Sequence, residues 1–204
     1  MERRFITTNC EFIEERAAGA PSRFTGLASV YYCPEDEGTQ YTLWDIPTGK
    51  AVERIHPGAF DRAIREQDDV VATFNHDMNW PLADTPTGTL TLVTEPRGLR
   101  YRFDFNPDDP QHQIMRAKAT QKLVRQSSFA FTVDEGGDFW TRENGIDVRN
   151  VYSVKLHDVS MVTRGAYSSS TVGMRSAESV DDAKSSYLAY QTKIRQEICK
   201  NLIS

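Results

Sequence analysis

The sequence predicts an α+β, β-rich domain followed by a C-terminal helical tail. Three observations carry that expectation. Short runs of β-branched and aromatic residues, separated by turn residues, recur from Phe24 to Thr163. Within that span helix-start chemistry stands at His56-Pro57 and at Asp109-Pro110. After Tyr167 the composition turns to serine and other polar residues before an apolar stripe at helical spacing begins. A chain of 204 residues buries roughly 70% of its unfolded surface as a single globular unit, so its core needs no disulfide or metal scaffold.

In chain order, Phe24 to Tyr32 (FTGLASVYY) reads as a strand with a glycine-marked bulge, and CPEDEGTQ as a polar loop. Ala51 to Ile55 is a short strand feeding a short helix, with Pro57 in its first turn and Ala59, Phe60, Ala63 and Ile64 on its apolar face. Val70 to Phe74 is a β-branched run ending at Asn75-His76-Asp77, which puts the histidine at a strand end or in the loop after it. Leu90 and Leu92, then Leu99, Tyr101, Phe103 and Phe105, alternate on either side of Glu95-Pro96-Arg97-Gly98, the pattern of a hairpin. Asp109-Pro110 opens a helix through Ile114, Met115, Ala119 and Leu123, ending near Gln126. Ser127 to Val133 is a strand, Asp134 to Gly137 a turn, Phe139-Trp140 part of a further strand, and Val151 to Thr163 closes the β-rich part. Tyr187, Tyr190, Ile194, Ile198 and Leu202 share one helical stripe. The expected division is therefore a body at 1–171 and a tail at 172–204.

Charge and motif patterns remove several function classes. With 24 basic against 29 acidic side chains the net charge is −5, which disfavours a binder driven by phosphate neutralisation. The apolar runs are too short to span a bilayer, and MERRFITTNCEFIEER has no apolar signal core, so an intracellular protein is expected. Cys10, Cys33 and Cys199 are odd in number and show no C-x-x-C spacing, so neither a disulfide framework nor a metal site is expected. No zincin helix, phosphate loop, nucleophile elbow or dinucleotide fingerprint occurs, and no cofactor is expected.

Among the four histidines, His56 reads as a capping or surface residue and His112 as a solvated one. His76 stands apart because it directly follows an apolar strand, where working side chains are often presented. Its natural partner is a serine hydroxyl, which is a poor nucleophile until an imidazole takes its proton. Ser127 and Ser128 stand at the start of the strand Phe129-Ala130-Phe131, and alternation allows at most one of them to face a given histidine. An acidic side chain at Asp158, among Leu156, Val159, Met161 and Val162, is costly to bury unless it meets a donor or cation, a role an imidazole can fill. Alternation places His157 on the opposite face from Asp158, which makes the two competitors for one role.

Taken together, Glu53 to Phe60, Phe74-Asn75-His76-Asp77, Gly98-Leu99, Ser128 to Phe131, and Leu156 to Thr163 with Ala166-Tyr167 form a set of blocks whose order resembles that of the prohead proteases of tailed bacteriophages. The resemblance covers about Phe24 to Tyr167. It implies a fold similar to that of the herpesvirus assembly proteases, a β-barrel flanked by helices, and a serine endopeptidase forming an acyl-enzyme. It further implies His76 as catalytic histidine, Ser128 as nucleophile and Asp158 as third member, with His157 as the alternative. The chain departs from the family at Ala130, where a glycine is usual, and at Gly165, where a proline is common.

Also implied are cleavage of the phage scaffold protein, or of the scaffold-like segment of the major capsid protein, and of the protease itself. The setting would be the assembling prohead in the host bacterial cytoplasm. The active species is either a homodimer, as in the herpesvirus relatives, or a monomer activated by assembly. The tail would dock on a partner or be removed by self-cleavage. No membrane or direct nucleic-acid contact is expected. The competing reading is a non-catalytic β-barrel scaffold or assembly chaperone whose terminal helix binds capsid protein.

Overall fold

The computed structural model describes residues 1–14, 21–47, 49–163, 187–189 and 191–192. The strands are β1 (Glu2–Ile13), β2 (Arg23–Val30), β3 (Tyr41–Ile46), β4 (Gly49–Ile55), β5 (Val71–Phe74), β6 (Asp77–Asp84), β7 (Leu90–Glu95), β8 (Gly98–Asp104), β9 (Gln126–Val133), β10 (Asp138–Glu143), β11 (Ile146–Val151) and β12 (Val154–Val162). Helix α1 (Asp61–Arg65) follows β4 and helix α2 (Pro110–Thr120) precedes β9. The β-rich α+β class read from the sequence is the class of the structure.

Eight strands form one sheet in the order β6-β5-β12-β9-β1-β2-β8-β7, and four form a second in the order β10-β11-β4-β3. The closed barrel implied by the resemblance is absent among the described strands: both sheets are open, and β6 and β7 end the larger one. The flank of β6 is taken by a helix. Helix α2 packs against β1 and β6, and His112 of α2 donates from Nε2 to the Leu82 carbonyl of β6 at 2.7 Å.

The sheets hold an aromatic core. Phe24, Phe60, Tyr101, Phe129 and Phe131 have no exposed surface, and each such ring contributes roughly 1.5–3 kcal/mol through removal from water. Phe129 stacks on Phe131 at 5.2 Å and meets Phe60 edge-on at 5.7 Å. Close packing explains one glycine: a Cβ on Gly26 of β2 would lie 2.5 Å from the Tyr101 hydroxyl and 2.6 Å from Ser127 Oγ.

The two sheets are also joined by buried charge. Arg4 of β1 donates to Glu53 of β4 from Nε (2.5 Å) and Nη2 (2.8 Å), and to Glu2 from Nη2 (2.5 Å). Arg149 of β11 donates to Glu2 at 2.7 Å, to Glu53 at 3.1 Å and to Asp138 of β10 at 2.5 Å. Burial alone would push both guanidiniums down, but the carboxylates, Glu53 foremost, outweigh it and hold them above the usual arginine value.

Several elements differ from the sequence reading. β1, β3, β6 and β11 have no counterpart there. Helix α2 stops at Thr120, Lys122 takes a left-handed φ of 57°, and Leu123 is exposed. Its buried face carries His112 and Met115, while Ile114 points to solvent, so His112 is an interior residue rather than a solvated one. The expected boundary at 171/172, Gly165 and most of the tail's apolar stripe lie outside the described residues. Of that stripe Tyr187 is described. Its ring lies 5.3 Å from Trp44 and 5.2 Å from Trp140, and its hydroxyl donates to Asp147 at 2.7 Å.

Candidate active site

Three neighbouring strands of the larger sheet bring His76, Ser128 and Asp158 together. β5 runs parallel to β12, and β12 runs antiparallel to β9. His76 follows β5, Ser128 lies on β9 and Asp158 on β12.

The serine ambiguity resolves by alternation. Ser127 Oγ lies 3.1 Å from the Tyr101 hydroxyl, on the core side. Ser128 points to the other face, in a row with Ala130 and Thr132.

A β-bulge sets the acid. Leu156 pairs with Phe131 and Asp158 pairs with Ala130, so His157 is an extra residue on β12. From there Asp158 and Ser160 pair with Ala130 and Ser128, on the row of Ser128. Unbroken alternation after Leu156 would have turned Asp158 to the core face instead. His157 is not thrown to the far side as alternation implies. Its Nε2 lies 3.1 Å from Thr132 Oγ1, one step along the row of Ser128 and Ala130. Burial, and then the Lys155 charge, push its imidazole below the usual histidine value.

His76 is presented by a tight connection between β5 and β6. Asn75 and His76 both have left-handed backbone, with φ of 55° and 59°, a conformation costing roughly 1–2 kcal/mol for each non-glycine residue. β12 and the residue after it offset that cost. The Asn75 N–H donates to the Met161 carbonyl (3.1 Å), the Thr163 N–H donates to Asn75 Oδ1 (3.1 Å), and the His76 N–H donates to Ser160 Oγ (2.9 Å).

The resulting geometry is a continuous chain of hydrogen bonds. His76 Nδ1 lies 2.7 Å from Asp158 Oδ1, and His76 Nε2 lies 2.6 Å from Ser128 Oγ. An ionised carboxylate only accepts, so Nδ1 carries a proton, which leaves Nε2 of the neutral ring as an acceptor for the serine. Ser128 Oγ is also 2.7 Å from the carbonyl of Arg4 on β1. One hydroxyl proton thus faces two acceptors. Ser128 has no exposed surface, and His76 and Asp158 are 8% and 3% exposed. The three residues are thus closed off from bulk solvent.

Neither Ser160 nor the Arg4 carbonyl was singled out from sequence. The spacing of Ser160, two residues beyond Asp158 on one strand, was the available signal for the first. The second is a main-chain atom, which leaves no mark on residue type.

This chain belongs to the caudovirus prohead serine protease family, whose model matches residues 22–185. Membership gives it a serine-protease role in phage capsid maturation, in association with capsid components. No curated protein and no solved structure matches the chain. Among the described residues no helix is long and apolar enough to cross a membrane, and no group of His, Cys, Asp and Glu could hold a metal ion.

Proposed function

We propose that the protein is a serine endopeptidase acting through Ser128, His76 and Asp158 on the scaffold protein, or on the scaffold-like segment of the major capsid protein, and on itself. The observation that carries this reading is the unbroken chain from Ser128 Oγ through both ring nitrogens of His76 to Asp158. His76 Nε2 takes the hydroxyl proton as Ser128 Oγ bonds to the peptide carbonyl carbon. The protonated imidazole, held by Asp158, then gives that proton to the leaving amine as the C–N bond breaks. Water then gives a proton to the same nitrogen and bonds to the acyl carbon; the bond from that carbon to Ser128 Oγ breaks, Oγ takes the proton back, and the acid leaves. Backbone N–H groups supply the oxyanion stabilisation.

Asp158 is favoured over His157 as third member because its carboxylate meets Nδ1, whereas the His157 ring meets Thr132. Likeness to the herpesvirus assembly proteases, work inside the prohead in the host cytoplasm, and a tail at 172–204 that docks or is removed belong to the same reading. Co-expression with the scaffold and major capsid proteins tests it, with mass spectrometry of the products. Wild type should yield defined cleavage products, and Ser128→Ala should yield none while remaining folded. Normal processing by Ser128→Ala would sink the assignment.

A further inference from the structure

We propose that Ser160 is a positioning residue for catalysis, holding the main chain of His76 while Asp158 holds its ring; this rests on the active-site reading above. Ser160 stands directly opposite Ser128 across β12 and β9, and two residues beyond Asp158 on the same row. It has no exposed surface. Its hydroxyl is fully engaged. Oγ accepts from the His76 N–H (2.9 Å) and from Thr73 Oγ1 (3.2 Å), and its own proton goes to the Thr73 carbonyl (3.1 Å).

The imidazole is therefore gripped at two points by one strand. Asp158 alone fixes Nδ1 but leaves the ring able to pivot about that bond. Fixing the backbone nitrogen of the same residue removes the pivot and sets the distance from Nε2 to Ser128. The grip matters because Asn75 and His76 are both in left-handed backbone, a state that persists only where the surroundings over-determine it. Thr73 and Ser160 lie on paired strands, so the orientation of the Ser160 hydroxyl is itself fixed by the sheet.

The test uses the full chain with a fluorophosphonate probe, read as the labelling rate of Ser128 against pH, and proton NMR of the His76 Nδ1–H, whose hydrogen bond to a carboxylate shifts it far downfield. Ser160→Ala should slow labelling roughly 10- to 100-fold, displace the acid limb of the pH profile, and shift or broaden the downfield resonance. Ser160→Cys, similar in volume but a weaker acceptor, should fall between and serves if the alanine variant folds poorly. Ser29→Ala removes another hydroxyl with no exposed surface, one that meets the Tyr41 hydroxyl and none of Ser128, His76 and Asp158, and should change neither readout. Wild-type labelling and an unmoved resonance in Ser160→Ala, or equal losses in Ser160→Ala and Ser29→Ala, would overturn the inference. Failure of the underlying reading looks different: Ser128→Ala would still be labelled, whatever Ser160 does.

Discussion

Glu53 illustrates how much depends on single buried charges in this fold. It has no exposed surface and accepts from both Arg4 and Arg149. Replacing one partner of such a network leaves the others charged, buried and under-compensated, which costs roughly 3–5 kcal/mol. Glu53→Ala should therefore lower the midpoint of thermal unfolding by about 10 °C, taking about 2–4 °C per kcal/mol for a chain of this size. Calorimetry gives the shift, and a change of only a degree or two would show that Arg4 and Arg149 are satisfied without Glu53. At Asp158 the expected loss is in rate instead. Asp158→Asn keeps the shape but offers the ring an amide that can stabilise the wrong tautomer and no imidazolium, so turnover or probe labelling should fall roughly 10³- to 10⁴-fold with the fold intact.

At the scale of elements, the bulge on β12 decides which side chain meets the imidazole. His157→Ala leaves the extra residue in place, so Asp158 stays on the row of Ser128 and labelling should remain within a few-fold of wild type. A loss as deep as that of Asp158→Asn would instead make His157 the third member.

The same strand shows where sequence reading reaches and where it stops. The pairing of an apolar strand end with His76, and of an acid among apolar neighbours with Asp158, is visible in local pattern. A bulge is not, because one extra residue changes facing without changing composition. β1 leaves no local pattern for a related reason: Glu2 and Arg4 look like surface residues, and only the opposing Glu53 and Arg149, far along the chain, make their burial tolerable. β6 leaves no clear pattern because Asp77, Met78, Asn79 and Pro81 are exposed and show no clean alternation. In α2 the stripe through Ile114 and Leu123 misled, since the helix ends before Leu123 and turns His112 inward.

For the molecule as a whole, burial of groups that lose protons at high pH sets an alkaline limit. Burial pushes the Cys10 thiol up to about 12 from 9.0, and the Tyr31 and Tyr41 hydroxyls up to about 12 from 10.0. Well below pH 9 these groups are protonated whether the chain is folded or not, and their contribution to stability is complete. Above it the unfolded chain releases protons that the folded one keeps, so stability falls between about pH 9 and 12. Denaturant midpoints from pH 8 to 11 should decline accordingly, and Tyr41→Phe should flatten the decline; a flat wild-type profile would contradict it. Closure of the site has a kinetic counterpart. With Ser128 unexposed and shared with the Arg4 carbonyl, a probe must wait for opening. The observed labelling rate should level off as fluorophosphonate concentration rises, at a ceiling equal to the opening rate. Linear growth to the highest usable concentration would mean that the serine is freely reachable.

Gly26 links these scales in a way that bears on genetics. A methyl group there would press on Tyr101, which cannot retreat, and on Ser127, whose neighbour is Ser128. Gly26→Ala should thus behave as a conditional allele, tolerated when cool and failing when warm, with phage particles arrested at the unprocessed-shell stage on shifting to high temperature.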